Sequence, residues 1–193
     1  ELNATEARPL LGASGLVVVD GKHVRPFVVG RSPTRMSRAQ ALRALPRAPF
    51  DRPRLAYRDV SGVGNSQALI AAVIPCRVIT THTLFCSKEP MPEERLHLLC
   101  AYFNSSTMNF ITRLLMGGHV TTSLVEQLPT PVWRGDAMDT RISRMARQIA
   151  EGAATPQDRG WLDAVIARRF GLWRGELQHV IARSGPVEGT SLG

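Results

Sequence analysis

A glycine-rich stretch, Tyr57-Arg-Asp-Val-Ser-Gly-Val-Gly-Asn-Ser66, contains residue types that can cradle a phosphate or a dinucleotide. Such a loop must follow a buried strand and open a helix, because amides at the helix N-terminus bind the anion. The segment 68–75 that follows is short, rich in Ile and Val and closed by a proline, which predicts a second strand. No third glycine at dinucleotide spacing and no Gly-Lys-Ser/Thr motif occurs. The stretch therefore favours a strand–turn–strand connection over a cofactor loop.

Other catalytic patterns are also absent from the sequence. None of the five histidines lies in an H-E-x-x-H motif or at ligand spacing from a cysteine, and no G-x-S-x-G motif occurs. The two lysines, Lys22 and Lys88, lie outside any cluster of acidic residues, whereas a metal-dependent nuclease needs such a cluster. Cys76, Cys86 and Cys100 form no C-x-x-C pair, and we expect them to be small core residues in a reducing compartment. The sequence therefore predicts no self-contained active site and no metal site in this chain.

Positive charge is concentrated in the first third of the chain. The net charge is +8, and residues 1–60 carry eleven Lys or Arg against five acidic residues. Codon bias in a GC-rich genome explains why arginine replaces lysine, but it does not explain the uneven distribution. The pattern favours binding of a polyanion such as nucleic acid over a merely solvated surface. The candidate phosphate contacts are Arg25, Arg31, Arg35, Arg38, Arg43 and Arg47.

The chain length of 193 residues and the hydrophobic content of 44% are sufficient for a real core. No run of 18 uncharged apolar residues occurs, so no membrane span is expected. Because the chain begins at Glu1 without a methionine, we expect it to be a piece of a longer protein.

The first ninety residues are predicted to be mostly β. Two strands, over 15–21 and 23–29, are expected to meet at the turn pair Asp20-Gly21. Ser37 and Gln40 form a capping-box pattern, which predicts a short helix as far as about Leu45. Further strands are expected over 54–60, 68–74 and within 77–87.

The remainder of the chain has helical periodicity. Pro92 followed by Glu93 and Glu94 predicts a helix start, and the stretch 104–107 predicts a break between two helices. The stretch 121–133 closes this segment, and Pro129 and Pro131 predict an extended exit. Three more helices are expected after residue 136. The prediction is therefore an α+β fold, with a domain over 1–133 and a small helical appendage over 134–193.

Polar residues in the predicted strands and turns are of the types that contact base edges and phosphates. Threonine also favours strands for ordinary reasons, and His82 could be a buried, hydrogen-bonded histidine. Arg58 could instead form a buried ion pair with Asp59 or another acid. The candidate base contacts are Arg58, Asn65, His82, Thr83, His119, Thr121 and Thr122.

Several of these segments together resemble a known family. The stretches RPRLAYRDVSGVGNSQALIAAVIP, THTLFC and LHLLCAYFNSSTMNFITRLLMGGHVTTSLVEQLPTPVW are similar to the C-terminal region of adenine-specific DNA methyltransferases of bacterial restriction–modification systems. The similarity is greatest to the single-chain type IIG enzymes, and WLDAVIARRFGLWRGELQHVIARSGPV resembles their tail. The resemblance covers about residues 15–183. It departs from the family pattern at Gly62-Val-Gly64 and at Ser66-Gln-Ala68.

The resemblance implies a target recognition domain that binds double-stranded DNA in the bacterial cytoplasm, at the nucleoid. The catalytic Asn-Pro-Pro-Tyr motif and the S-adenosylmethionine pocket would lie in an upstream methyltransferase domain of the same polypeptide. We therefore expect no cofactor in this chain, and Mg²⁺ in the parent enzyme only if that enzyme also cleaves DNA. Two alternatives stay open, a protein-interaction module and a nuclease domain of the same system.

Overall fold

The computed structural model describes residues 1–59, 67–117, 119–130 and 132–184. These residues form an α+β fold with small sheets and eight α-helices, which confirms the predicted fold class. The strands are β1 (Leu16–Val19), β2 (Val24–Arg25), β3 (Val28–Val29), β4 (Arg35–Met36), β5 (Arg54–Arg58), β6 (Ala71–Ile74), β7 (Val78–Thr80) and β8 (Leu84–Cys86). The helices are α1 (Ala4–Ala7), α2 (Arg38–Ala44), α3 (Glu93–Phe103), α4 (Ser106–Leu115), α5 (Thr122–Gln127), α6 (Ala137–Ala150), α7 (Pro156–Arg169) and α8 (Arg174–Ser184).

Two three-stranded sheets and one hairpin make up the β part of the described residues. In the first sheet β1 lies between β4, its antiparallel neighbour, and β7, its parallel neighbour. In the second sheet β5 lies between β6 and β8, and both pairs are antiparallel. The β5–β6 pairing agrees with the strand–turn–strand connection predicted from the sequence. The connection itself, 60–66, lies outside the described residues.

The expected pairing around Asp20-Gly21 is wrong. The Asp20 carboxylate accepts a hydrogen bond from the Lys22 amide at 3.1 Å and caps a 3₁₀ turn over Gly21–His23, so the chain does not return along β1. The predicted second strand is divided instead, because Phe27 has a φ of 68° in the left-handed region and turns β2 back onto β3.

The helix boundaries follow the predicted capping signals, with one omission. Ser37 caps α2 in a capping box with Gln40, and α3 begins at Glu93 after Pro92. The sequence predicts no helix within the closing stretch 121–133, whereas Thr122–Gln127 forms α5. The signal for this helix was Thr121, whose hydroxyl accepts a hydrogen bond from the Leu124 amide at 3.3 Å.

The side chain of Asn104, between α3 and α4, binds the edge of β6 that does not pair with β5. Its amide nitrogen donates to the Ala71 carbonyl at 2.8 Å, and its amide oxygen accepts from the Ala71 N–H at 3.1 Å. One side chain therefore provides the pair of bonds that a neighbouring strand would provide. Asn109, one turn into α4, accepts from the Leu69 N–H at 2.9 Å in the same way. These bonds fix the α3–α4 corner to β6 and to the segment that leads into it.

Helices α6 and α7 share the core of α3 and α4. Ile142 and Ile149 of α6 and Ile166 of α7 are at most 2% exposed and belong to the same hydrophobic cluster as Leu96 and Tyr102 of α3. Arg169, at the end of α7, binds Asp139 at 2.8 Å and so ties α7 to the start of α6. This part of the predicted appendage is thus packed into the main core, and the boundary at 133/134 stays a prediction.

A buried arginine connects the two sheets. Arg54 at the start of β5 is 3% exposed, and its guanidinium donates to the Val78 carbonyl at 2.9 Å and to the Thr80 hydroxyl at 3.2 Å, both on β7. The three cysteines are free, as expected, but Cys76 is exposed and is not a core residue. None of the helices in the described ranges has the length and apolar character needed to cross a membrane.

Replacing Asn104 with Ala should destabilise the protein more than replacing the exposed Asn3 with Ala. The first change leaves the buried Ala71 N–H without its acceptor, which costs about 1–3 kcal/mol, whereas the second removes a surface helix cap worth about 1 kcal/mol. Urea unfolding of both variants measures the difference. Equal midpoints would show that the Asn104 bonds do not stabilise the corner.

The buried carboxyl of Asp163 predicts a pH-dependent stability. Its Oδ1 accepts from the Ser106 N–H at 2.7 Å, its Oδ2 has no hydrogen-bond partner among the described residues, and burial raises its pKa. Folding favours the protonated form of Asp163 relative to the unfolded chain, so the contribution of this carboxyl is present at low pH and is lost as the pH rises through the raised pKa. Asp163→Asn, which retains the acceptor, should therefore gain stability over wild type as the pH rises from about 4, the ordinary carboxyl pKa, towards neutrality.

Asp158→Asn is the matched control, and thermal unfolding across this pH range measures both variants. The pKa of Asp158 is lowered, chiefly because its carboxylate accepts a hydrogen bond from the Thr155 N–H. Its contribution is present above the unfolded pKa and is lost as the pH falls, so this variant should lose stability relative to wild type as the pH rises. The same pH trend in both variants would contradict the assignment of Asp163.

Candidate nucleic-acid interface

Three separate parts of the chain meet at one end of the β5-containing sheet. The Asp59 N–H donates to the Thr83 carbonyl at 3.2 Å, and the Val120 N–H donates to the Asp59 carbonyl at 3.1 Å. These two backbone bonds bring together the end of β5, the β7–β8 turn and the segment before α5. We call this surface the loop end and define it by residues 58–59, 81–83 and 119–122. All the described base-contact candidates lie in these segments.

Tyr57 and Arg58, at the end of β5, differ in burial and in their contacts. Tyr57 is buried, with its ring centroid 5.5 Å from that of Phe85 and 6.1 Å from that of Phe103, and burial raises its pKa to about 12. Arg58 is half-buried and forms no ion pair with a described residue, and its Nε has no hydrogen-bond partner in the described ranges. The alternative that Arg58 is held in an ion pair with Asp59 is therefore not observed.

The β7–β8 turn presents His82 and uses Thr83 to hold its shape. The Thr83 hydroxyl accepts from the Gly21 N–H at 2.8 Å and lies 2.9 Å from the Thr81 hydroxyl. Thr83 thus fastens the turn to the end of β1. His82 is exposed, so its interpretation as a buried histidine is wrong. Its backbone N–H donates to the Leu2 carbonyl at 2.9 Å, which fixes the turn from the other side.

The start of α5 and the segment before it contribute three exposed residues, His119, Thr121 and Thr122. Thr121 caps α5 through its hydroxyl, and Val120 between them is fully buried. The buried valine and the cap hold the segment, so its polar side chains are presented at a fixed place. The remaining base-contact candidate, Asn65, lies outside the described residues.

The six candidate phosphate contacts fall into two groups. Two are bound within the protein: Arg35 donates to the carbonyls of Ser32 and Thr34, and Arg38 forms two 2.7 Å bonds to Asp51. The pKa of Asp51 is lowered, chiefly by the hydrogen bond from Arg38. The other four are exposed and have no ion pair with a described residue: Arg25, Arg31, Arg43 and Arg47.

Arg35 and Arg38 lie toward the opposite end of the strands from the loop end. Arg35 pairs with Val17 near the start of β1, whereas Gly21, beyond the end of β1, contacts Thr83. Arg38 binds Asp51, which precedes β5, and β5 rises about 13 Å from its first residue to Arg58 at the loop end. Arg25, by contrast, lies on the hairpin whose Phe27 N–H donates to the Ala71 carbonyl, beside the loop end.

Comparison with known protein families finds no family that matches the chain, and comparison with curated proteins finds no similar sequence. In the described part of the chain, no group of three or more His, Cys, Asp and Glu side chains is placed to hold a metal ion.

Replacing Arg31, Arg43 and Arg47 together with Ala should reduce the salt dependence of duplex DNA binding. Each lost phosphate contact lowers the slope of log K against log salt concentration by about 0.9, so the triple variant should lose up to about 2.7. Fluorescence anisotropy with a labelled duplex at several salt concentrations measures the slope. The control replaces the exposed Arg95, Arg141 and Arg144, and the same slope in both triple variants would show that the first set faces away from DNA.

Proposed function

We propose that this chain is the sequence-specific DNA recognition module of a type IIG-like adenine-specific DNA methyltransferase of a bacterial restriction–modification system. The observation that carries the proposal is the loop end. The segments that resemble the family most closely, around Arg58, His82 and His119, are far apart in sequence and are joined by the Asp59–Thr83 and Val120–Asp59 backbone bonds.

The side chains of the loop end suit the reading of bases. Arginine donates two parallel hydrogen bonds to guanine O6 and N7, threonine can donate, accept or contact the thymine methyl group, and imidazole can donate or accept. Arg58, His82, His119 and Thr122 offer these groups at one surface, while Thr83 and Thr121 use their hydroxyls to hold the loops. We therefore assign Arg58, His82 and His119 to base contacts and Thr83 to positioning.

The exposed arginines suit a different role in the same complex. Contacts to phosphate fix the register of a protein on the duplex without reading its sequence. Arg25, beside the loop end, would contact the backbone next to the bases that are read. The exposed Arg31, Arg43 and Arg47, which lie outside the loop end, would hold another part of the duplex.

The proposal assigns no catalytic residue to this chain. In the parent enzyme, the upstream domain would bind S-adenosylmethionine and transfer its methyl group to the exocyclic amine of an adenine that is flipped out of the duplex. The residues described above would choose the site. Any cleavage by the same enzyme would require Mg²⁺ and a nuclease domain elsewhere in the polypeptide.

Arg58→Ala and His82→Ala, each introduced into the full-length protein, should relax the choice of methylation site. Loss of one base contact costs about 1–3 kcal/mol on the cognate site and much less on random DNA. Sequencing of methylated positions in genomic DNA measures the choice, and thermal unfolding checks that the variants fold. His179→Ala, an exposed histidine on α8, is the matched control and should leave the sites unchanged.

Two results would count against the assignment. If both variants fold and methylate the same motif at unchanged relative rates, Arg58 and His82 do not read bases, and the reading residues must be sought at 117–122. If the full-length protein methylates no DNA at all, the proposed enzyme class is wrong.

A further inference from the structure

An open groove of about 430 Å³ lies between the exposed flanks of α6 and α7. It belongs neither to the loop end nor to the 31–47 arginines. Its floor is apolar, and its Met138 side chain is 37% exposed, which is high for a residue that continues the core face of a helix. The groove is lined by Met138 of α6 and by Ala164, Val165, Arg168 and Arg169 of α7.

Two stacked arginine–tryptophan pairs lie next to this α6–α7 groove: Arg168 lines it, and Arg141 and Trp161 lie one helical turn from its lining residues Met138 and Val165. The Arg141 guanidinium lies 4.3 Å from the Trp161 ring centroid, and the Arg168 guanidinium lies 4.4 Å from that of Trp173. Stacking orients a guanidinium and leaves its in-plane N–H groups available for other acceptors. The two arginines are therefore held in place to bind carboxylates, and Trp173, 68% exposed, adds apolar surface beside them.

The described aspartates of α6, α7 and their N-terminal caps bind groups other than Arg141 and Arg168. Asp136 and Asp139 neutralise Arg169 at the groove, Asp158 accepts from Thr155, and Asp163 is buried against Ser106. Arg141 and Arg168 form no ion pair with a described residue, so the groove combines an apolar floor with two uncompensated positive charges at its rim. This combination is complementary to a helix that has one apolar stripe flanked by acidic residues.

We propose that the α6–α7 groove binds an acidic amphipathic helix of a protein partner. Duplex DNA is complementary to the positive rim but not to the floor. Its outer surface is a charged phosphate backbone, which does not bury the apolar side chains of Met138, Val165 and the exposed Trp173. An apolar stripe fills the floor, and flanking Glu or Asp side chains meet Arg141 and Arg168. This binding mode is separate from the proposed recognition of DNA and does not depend on it.

A labelled peptide tests the proposal on the chain itself. The probe is a helical peptide of about 18 residues with Leu at i, i+3, i+4 and i+7 spacing and Glu on both flanks. A peptide of identical composition in scrambled order removes the stripe, and a peptide with Lys in place of Glu reverses the charge. Fluorescence anisotropy should show at least about tenfold tighter binding of the first peptide than of either control.

Two variants locate the binding site, with a control for net charge. The double variant Arg141→Glu/Arg168→Glu should weaken binding at least about tenfold, and Met138→Glu, which charges only the floor, should do the same. Arg95→Glu/Arg183→Glu carries the same change in net charge on α3 and α8 and should leave binding within about twofold.

Three outcomes would overturn the proposal. The acidic peptide could bind no tighter than its scrambled form, or equally well to the groove variants. The groove variants could lose affinity for duplex DNA while peptide binding stays unchanged, which would make the groove a nucleic-acid surface. Light scattering could show a dimer that Met138→Glu dissociates, which would make the occupant a second copy of this chain.

Discussion

The carboxamide of Asn104 is the interaction on which the arrangement of sheet and helices depends. It accepts from the buried Ala71 N–H, which has no other acceptor among the described residues, and it donates to the Ala71 carbonyl, which also accepts from Phe27. Its nitrogen also donates to the Cys100 carbonyl at 2.9 Å. A buried peptide edge without such bonds is strongly unfavourable, so the corner between α3 and α4 can pack against β6 in only one register. Asn104 therefore acts on both elements at once.

The consequences of that register extend to both candidate surfaces. Fixing β6 fixes β5 beside it, and β5 ends at Arg58. The next residue, Asp59, is bonded to the other two segments of the loop end. On the other side of the corner, the Ser106 N–H donates to Asp163 of α7. The position of α7, and with it the α6–α7 groove, is thus connected through the α3–α4 corner to the sheet that carries the loop end.

Local signals in the sequence were sufficient for the fold class and for most elements. The Ser37 capping box, the Pro92 helix start and the break after Phe103 each depend on neighbouring residues, and each is present in the structure. The hairpin expected at Asp20-Gly21 does not form, because the Asp20 side chain caps a 3₁₀ turn instead. The parallel pairing of β1 with β7 could not be read locally, because it joins strands about sixty residues apart in the chain.

The candidate sites were predictable in their residue types but not in their positions. His82 is equally compatible with burial and exposure in sequence, and only the bonds of Thr83 and Leu2 decide that it faces solvent. The arginines within 31–47 cannot be told apart in the sequence but differ in their partners, because the fold places Asp51 next to Arg38. The α6–α7 groove was not predicted, since the stacking of Arg141 on Trp161 requires the two helices to be packed side by side.

The loop end is joined by bonds between main-chain atoms, at Asp59, Thr83 and Val120. Such bonds do not depend on which side chains occupy positions 58, 82 and 119. Substitutions at these three places can accumulate over evolution without altering the loop geometry. Relatives of this chain could therefore carry different residues at the loop end on an unchanged framework, and divergence of this surface would not require divergence of the fold.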